Sequence, residues 1–101
     1  MPTNFVRLEE VCVRLSIDDT LLREVCDEGL VEITVVDNDR VISPEDAERL
    51  RLITVLVRDM DVNLAGVEVI LHLREDLRAR QRQFDEVLRA LVDALRQRLN
   101  R

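Results

Sequence analysis

The chain has no lysine, tryptophan or tyrosine, and its 101 residues include only two phenylalanines and a single histidine. So few aromatics exclude a stacking platform for single-stranded nucleic acid. Two glycines and two prolines are too few for a many-turned sandwich or barrel, or for a disordered tail. Cys12 and Cys26 form no CxxC pair, and with His72 alone beside them they supply no zinc set. No apolar run approaches bilayer length, and no basic region followed by an apolar stretch opens the chain. A cytoplasmic protein is therefore expected.

What is present is a 47% hydrophobic share, ample for one core, and a charged share of 36%. All fifteen basic residues are arginine. Residues 1–50 hold thirteen acids against five arginines, a net of −8; residues 51–101 hold eight against ten, a net of +2, which yields the overall −6. An acidic first half suits a basic protein surface better than DNA.

Leu8, Val11, Cys12 and Leu15 fall on one stripe and predict a first helix over Leu8–Leu15. Ser16, with Asp18 and Asp19 behind it, reads as the start of a second helix. That helix buries Leu21, Leu22, Val25 and Cys26, runs to about Glu28 and stops at Gly29. Val31–Val36 is rich in β-branched residues and reads as a strand. Asp37-Asn38-Asp39 supplies the turn, and Arg40–Ile42 returns as its partner. Ser43-Pro44-Glu45-Asp46 opens a third helix to about Arg58. Its apolar residues occupy most of the circumference, so it should be central.

Asn63 caps the last helix, which meets no breaker beyond Gly66. Gly66 stands alone and reads as a close packing contact. From there Ile70, Leu77, Phe84 and Leu91 lie seven apart, with Leu88 and Leu95 in the alternate seam position. Arg74 and Gln81 occupy the earlier alternate positions, so the coiled-coil seam strengthens toward the C-terminus. A helix of this length spans on the order of 50 Å, more than a body of residues 1–62 covers. The segment 63–101 is therefore expected to dock at its start and then to pair with a second copy through Leu77, Phe84, Leu88, Leu91 and Leu95.

Two short helices, a hairpin, a third helix and a long dimerising helix resemble the layout of MerR-type regulators. The chain is more specifically similar to bacterial chaperone modulators of the CbpM type. The carriers are Leu8-Glu9-Glu10-Val11-Cys12, Glu28-Gly29-Leu30-Val31-Glu32 and the run from Asp59 to Leu71, DMDVNLAGVEVIL. The likeness runs from about Phe5 to the C-terminus. Heat-shock repressors of the MerR class share the stretch Asn63–Gly66. The resemblance implies a mainly α protein with a degenerate MerR-like winged helix-turn-helix body, a small β-hairpin and a long dimerisation helix. It implies a non-enzymatic homodimer that binds the J-domain of a DnaJ-like co-chaperone and blocks its work with DnaK. By the same analogy the paired helices run antiparallel. The repressors instead place their second helix in the DNA major groove.

The second helix separates these two functions. Asp18, Asp19, Glu24, Asp27 and Glu28 oppose Arg23 alone, a net of −4. The hairpin adds Glu32, Asp37 and Asp39 against Arg40. A groove-reading helix needs basic or amide side chains aimed at bases, so DNA binding is disfavoured. These eight acids are the candidate docking face for a basic helix, where opposite charge steers encounter. Asp18/Asp19 and Asp85/Glu86 are adjacent in sequence and point apart on a helix, so neither is an acid–base pair. Cys12 and Cys26 read as small buried residues and His72 as a partly exposed helix residue. No catalytic, cofactor or metal site is expected.

Overall fold

The computed structural model describes residues 4–100. Its elements are β1 (Val6–Arg7), α1 (Leu8–Leu15), α2 (Asp19–Asp27), β2 (Ile33–Val36), β3 (Asp39–Ile42), α3 (Pro44–Thr54), a π-helical turn (Val55–Asp59) and α4 (Leu64–Leu99). The mainly α architecture with a long last helix is as expected. Backbone contacts divide the chain into a body through Glu68 and a helical unit from Val69 onward.

Two helix ends in the body are built alike. At α1 the Ile17 amide donates to the Cys12 carbonyl, and the Ser16 amide donates to Val13. At α2 the Leu30 amide donates to Val25, and the Gly29 amide donates to Cys26. Both are Schellman stops, which require a left-handed residue just past the helix. Gly29 meets this with φ 70° and Ser16 with φ 54°. Ser16 therefore ends α1 and does not begin α2. The start of α2 belongs to Asp18, whose Oδ1 accepts from the Leu21 amide at 2.7 Å. A serine followed by acids is an ambiguous signal, because the cap is whichever oxygen reaches the second or third amide.

The second stop also shortens the first hairpin strand. Leu30 and Val31 are buried in the turn that leaves α2, so β2 begins at Ile33 and not at Val31. Asp37 (φ 50°) and Asn38 (φ 67°) form the two-residue connection between the paired residues Val36 and Asp39. Left-handed backbone at both positions matches the right-handed twist of a hairpin. A third strand completes the sheet in the order β1-β3-β2. Val6 pairs with Ile42 and Arg7 with Val41; two residues are too few to show an alternating pattern in sequence.

Ser43 caps α3 as its sequence predicts, with Oγ accepting from the Asp46 amide at 3.1 Å. Leu50 and Ile53 are fully buried, which makes this helix central, and Leu56 in the turn that follows is nearly so. Leu8, Val25, Ile42 and Val67 complete the innermost layer. Each such side chain contributes about 1.5–3 kcal/mol on burial. The buried Thr54 hydroxyl donates back to the Leu50 carbonyl at 2.8 Å, a bond that loosens and bends helices. The wider π-helical turn follows at once, where the sequence predicts plain helix to Arg58. The Asn63 Oδ1 accepts from the Gly66 amide at 2.8 Å. A Cβ on Gly66 would lie 2.9 Å from Val62 Cγ1, so the close contact is with its own capping turn.

Candidate functional site

The α2 face carries the charge expected of it. Leu22 and Val25 point inward and are buried, while Asp18, Asp19, Arg23, Glu24, Asp27 and Glu28 are all exposed. Leu21 and Cys26, expected in the core, are only half-buried, as is Cys12. Burial still pushes both thiols above their ordinary value. Glu9 adds to this at Cys12 and Asp27 at Cys26, while Arg40 opposes it at both. Neither thiol is an activated nucleophile. His72 is exposed on α4.

On the wing, one acid and the one arginine are each paired with a charge from outside it, which leaves its net charge unchanged. Asp39 meets Arg7 at 3.6 Å and Arg40 meets Glu9 at 3.3 Å. Glu9 is held below the usual carboxylate range, first by a hydrogen bond to its own backbone and then by Arg40. These pairs are half-exposed and so worth little to stability. The Glu32 carboxylate is exposed, and its amide donates to Asp46 Oδ2 at 2.9 Å. Asp37 sits in the left-handed turn at the hairpin tip. Of the eight candidate acids, Asp19, Glu24 and Asp27 lie on α2 and Asp18 and Glu28 cap its two ends, while Glu32, Asp37 and Asp39 lie on the wing.

A groove of about 310 Å³ opens beside the first turn of α2. Ile17 and Leu21 line it with Thr54 and Val57, and Asp18 and Glu24 stand at its edge. Arg58, also on its border, donates to the carbonyls of Ser16 and Leu15, both at 3.0 Å. Sequence reasoning missed this groove. It depends on the π-helical turn, which has no clear pattern of its own.

On α4, the five seam residues Leu77, Phe84, Leu88, Leu91 and Leu95 are each 47–69% exposed in the single chain. They form an apolar stripe along a helix that also exposes Val69, Leu73, Val87, Val92 and Leu99. Among the described residues no helix is long and apolar enough to cross a membrane. No group of three or more His, Cys, Asp or Glu residues is placed to hold a metal ion among them.

No curated protein matches the sequence. The family described as MerR HTH family regulatory protein matches residues 6–89. That span takes in the Schellman stops of α1 and α2, the wing, the capped α3 and most of α4. The chain belongs to the MerR helix-turn-helix family of regulatory proteins.

Proposed function

We propose that this protein is a non-enzymatic chaperone modulator. As a homodimer joined through α4, it binds the J-domain of a DnaJ-like co-chaperone and occludes the surface that engages DnaK. The observation that carries this function is the exposed face of α2, where five carboxylates face solvent beside one arginine. DNA carries about one negative charge per 1.7 Å of axis, and such a helix is repelled by it. A basic helix, of the kind J-domains resemble one another in presenting, is attracted. Opposite charge accelerates encounter and sets register, while apolar contacts supply most of the affinity.

Mixing the protein with the J-domain of its host's DnaJ-like protein tests this directly by calorimetry. A complex at micromolar concentration, with an association rate that falls as salt rises, is expected. Absence of a complex overturns the proposal. The second function is a MerR-family heat-shock repressor that binds an operator, of which the family match supports the MerR-like regulator alone. Tight, sequence-specific retardation of operator DNA at low salt would establish it in place of the modulator.

A further inference from the structure

We propose that the groove between the start of α2 and the π-helical turn seats one large apolar side chain of a basic helical partner. This rests on the docking function above and assigns it an apolar anchor. The walls are Ile17, Leu21 and Val57, all half-buried, over the buried Thr54. At about 310 Å³ the groove lies at the bottom of the ~300–1,000 Å³ range of small-molecule clefts. It is also open to solvent, which suits a leucine or phenylalanine side chain entering from a surface.

The rim selects the neighbours of that side chain. Asp18 and Glu24 are exposed on the α2 side. The Asp18 carboxylate keeps one oxygen on the Leu21 amide, so it is fixed in place. Among the described residues Arg58 is the one basic residue at the border, and its charge is already engaged. It donates to two carbonyls at the negative end of α1 and lies 3.9 Å from Asp59. The net field over the groove is therefore negative, and it favours an apolar side chain flanked by arginine or lysine. The same field repels a phosphate backbone. A second copy also carries exposed leucine–arginine neighbours, Leu77-Arg78, Leu88-Arg89 and Leu95-Arg96, but these leucines lie on the α4 seam assigned above to self-pairing.

The test is a methyl NMR titration of the full chain, labelled at isoleucine, leucine and valine, with the J-domain of the host's DnaJ-like protein. Shifts concentrated at Ile17, Leu21 and Val57, with Leu91 and Leu95 unmoved, are expected. Binding that leaves the three groove methyls unmoved overturns the groove but not the docking function. If the J-domain does not bind, the docking function fails, and a synthetic leucine–arginine amphipathic helix decides the groove alone. Shifts at the three methyls on adding that peptide uphold it, and their absence overturns it. Shifts there that grow with protein concentration, without any partner, place a second copy in the groove and also overturn the proposal. In parallel, Leu21→Glu should weaken partner binding about tenfold, while Asp76→Arg on α4 leaves it within about twofold. Equal losses from both variants overturn the groove.

Discussion

Arg58 donates from Nη1 to the Ser16 carbonyl at 3.0 Å, and Ser16 is the left-handed residue that ends α1. A second donor on the same guanidinium reaches the Leu15 carbonyl at 3.0 Å. The last carbonyls of α1 have no partners within their own helix, so the π-helical turn supplies them from the far side of the body sequence. A planar fork serves two acceptors at once, which a single ammonium cannot reproduce.

Replacing Arg58 with alanine should therefore destabilise the body by about 1–2 kcal/mol. The charged bonds are discounted here because the side chain is half-exposed. Arg58→Lys should recover only part of the loss. Urea unfolding of the full chain, compared at the transition midpoint, measures both.

The two Schellman stops differ in their left-handed residue, and the difference is measurable. A side chain in that conformation costs roughly 1–2 kcal/mol. Ser16→Gly removes that strain against a smaller entropic penalty, and should stabilise the protein by about 0.5–1 kcal/mol. Gly29→Ala should destabilise it by about 1 kcal/mol. A Cβ at Gly29 meets nothing within 4 Å, so that loss reports backbone strain alone. Thermal unfolding of the two variants should shift in opposite directions.

Cys12 and Cys26 predict a dependence on alkaline pH. Burial raises both thiols in the folded chain, so the unfolded chain loses these protons first as pH rises. Stability is then intact below the ordinary thiol value of about 8.5 and declines as pH climbs through the higher folded values. Serine at both positions should flatten that decline. Alkylation of the native thiols at pH 7 should be slower than that of a small free thiol, as followed by mass spectrometry.

The α4 stripe predicts an oligomeric change that spares the body. Phe84→Glu combined with Leu91→Glu should weaken self-association at least about a hundredfold, because each glutamate is carried into an apolar seam. Sedimentation equilibrium over the micromolar range should show a dimer for the natural chain and a monomer for the variant. Neither residue belongs to the body core, so the methyl spectrum of Ile42 and Ile53 should stay unchanged.

Much of the fold was legible because its signals act over short distances. Ser43 reaches Asp46 and Asn63 reaches Gly66, each three residues on. Asp37 and Asn38 set the hairpin turn by their own tolerance of left-handed backbone. The amphipathic stripe of α1 specified its limits, Leu8–Leu15, to the residue. Ser16 was the exception among these local signals. Its type suits both a helix start and a left-handed stop, and the bond to Arg58, forty-two residues away, bears on the stop alone.

The candidate site divides along the same line. The acids of α2 were visible as a surplus over residues 18–28, since an amphipathic helix must turn its charges outward once its leucines and valines turn in. What pairing then does to charge was hidden. Asp39 is partly neutralised by Arg7, and Arg40 by Glu9, contacts made only after β1 joins β3 in the sheet. The groove beside α2 needs Ile17 and Leu21 from one part of the chain and Val57 from another. It also needs a turn wound more loosely than an α-helix. The scarcity of aromatics argued against a stacking platform for single-stranded nucleic acid; packing across the body, which no local periodicity encodes, placed a groove beside the acids.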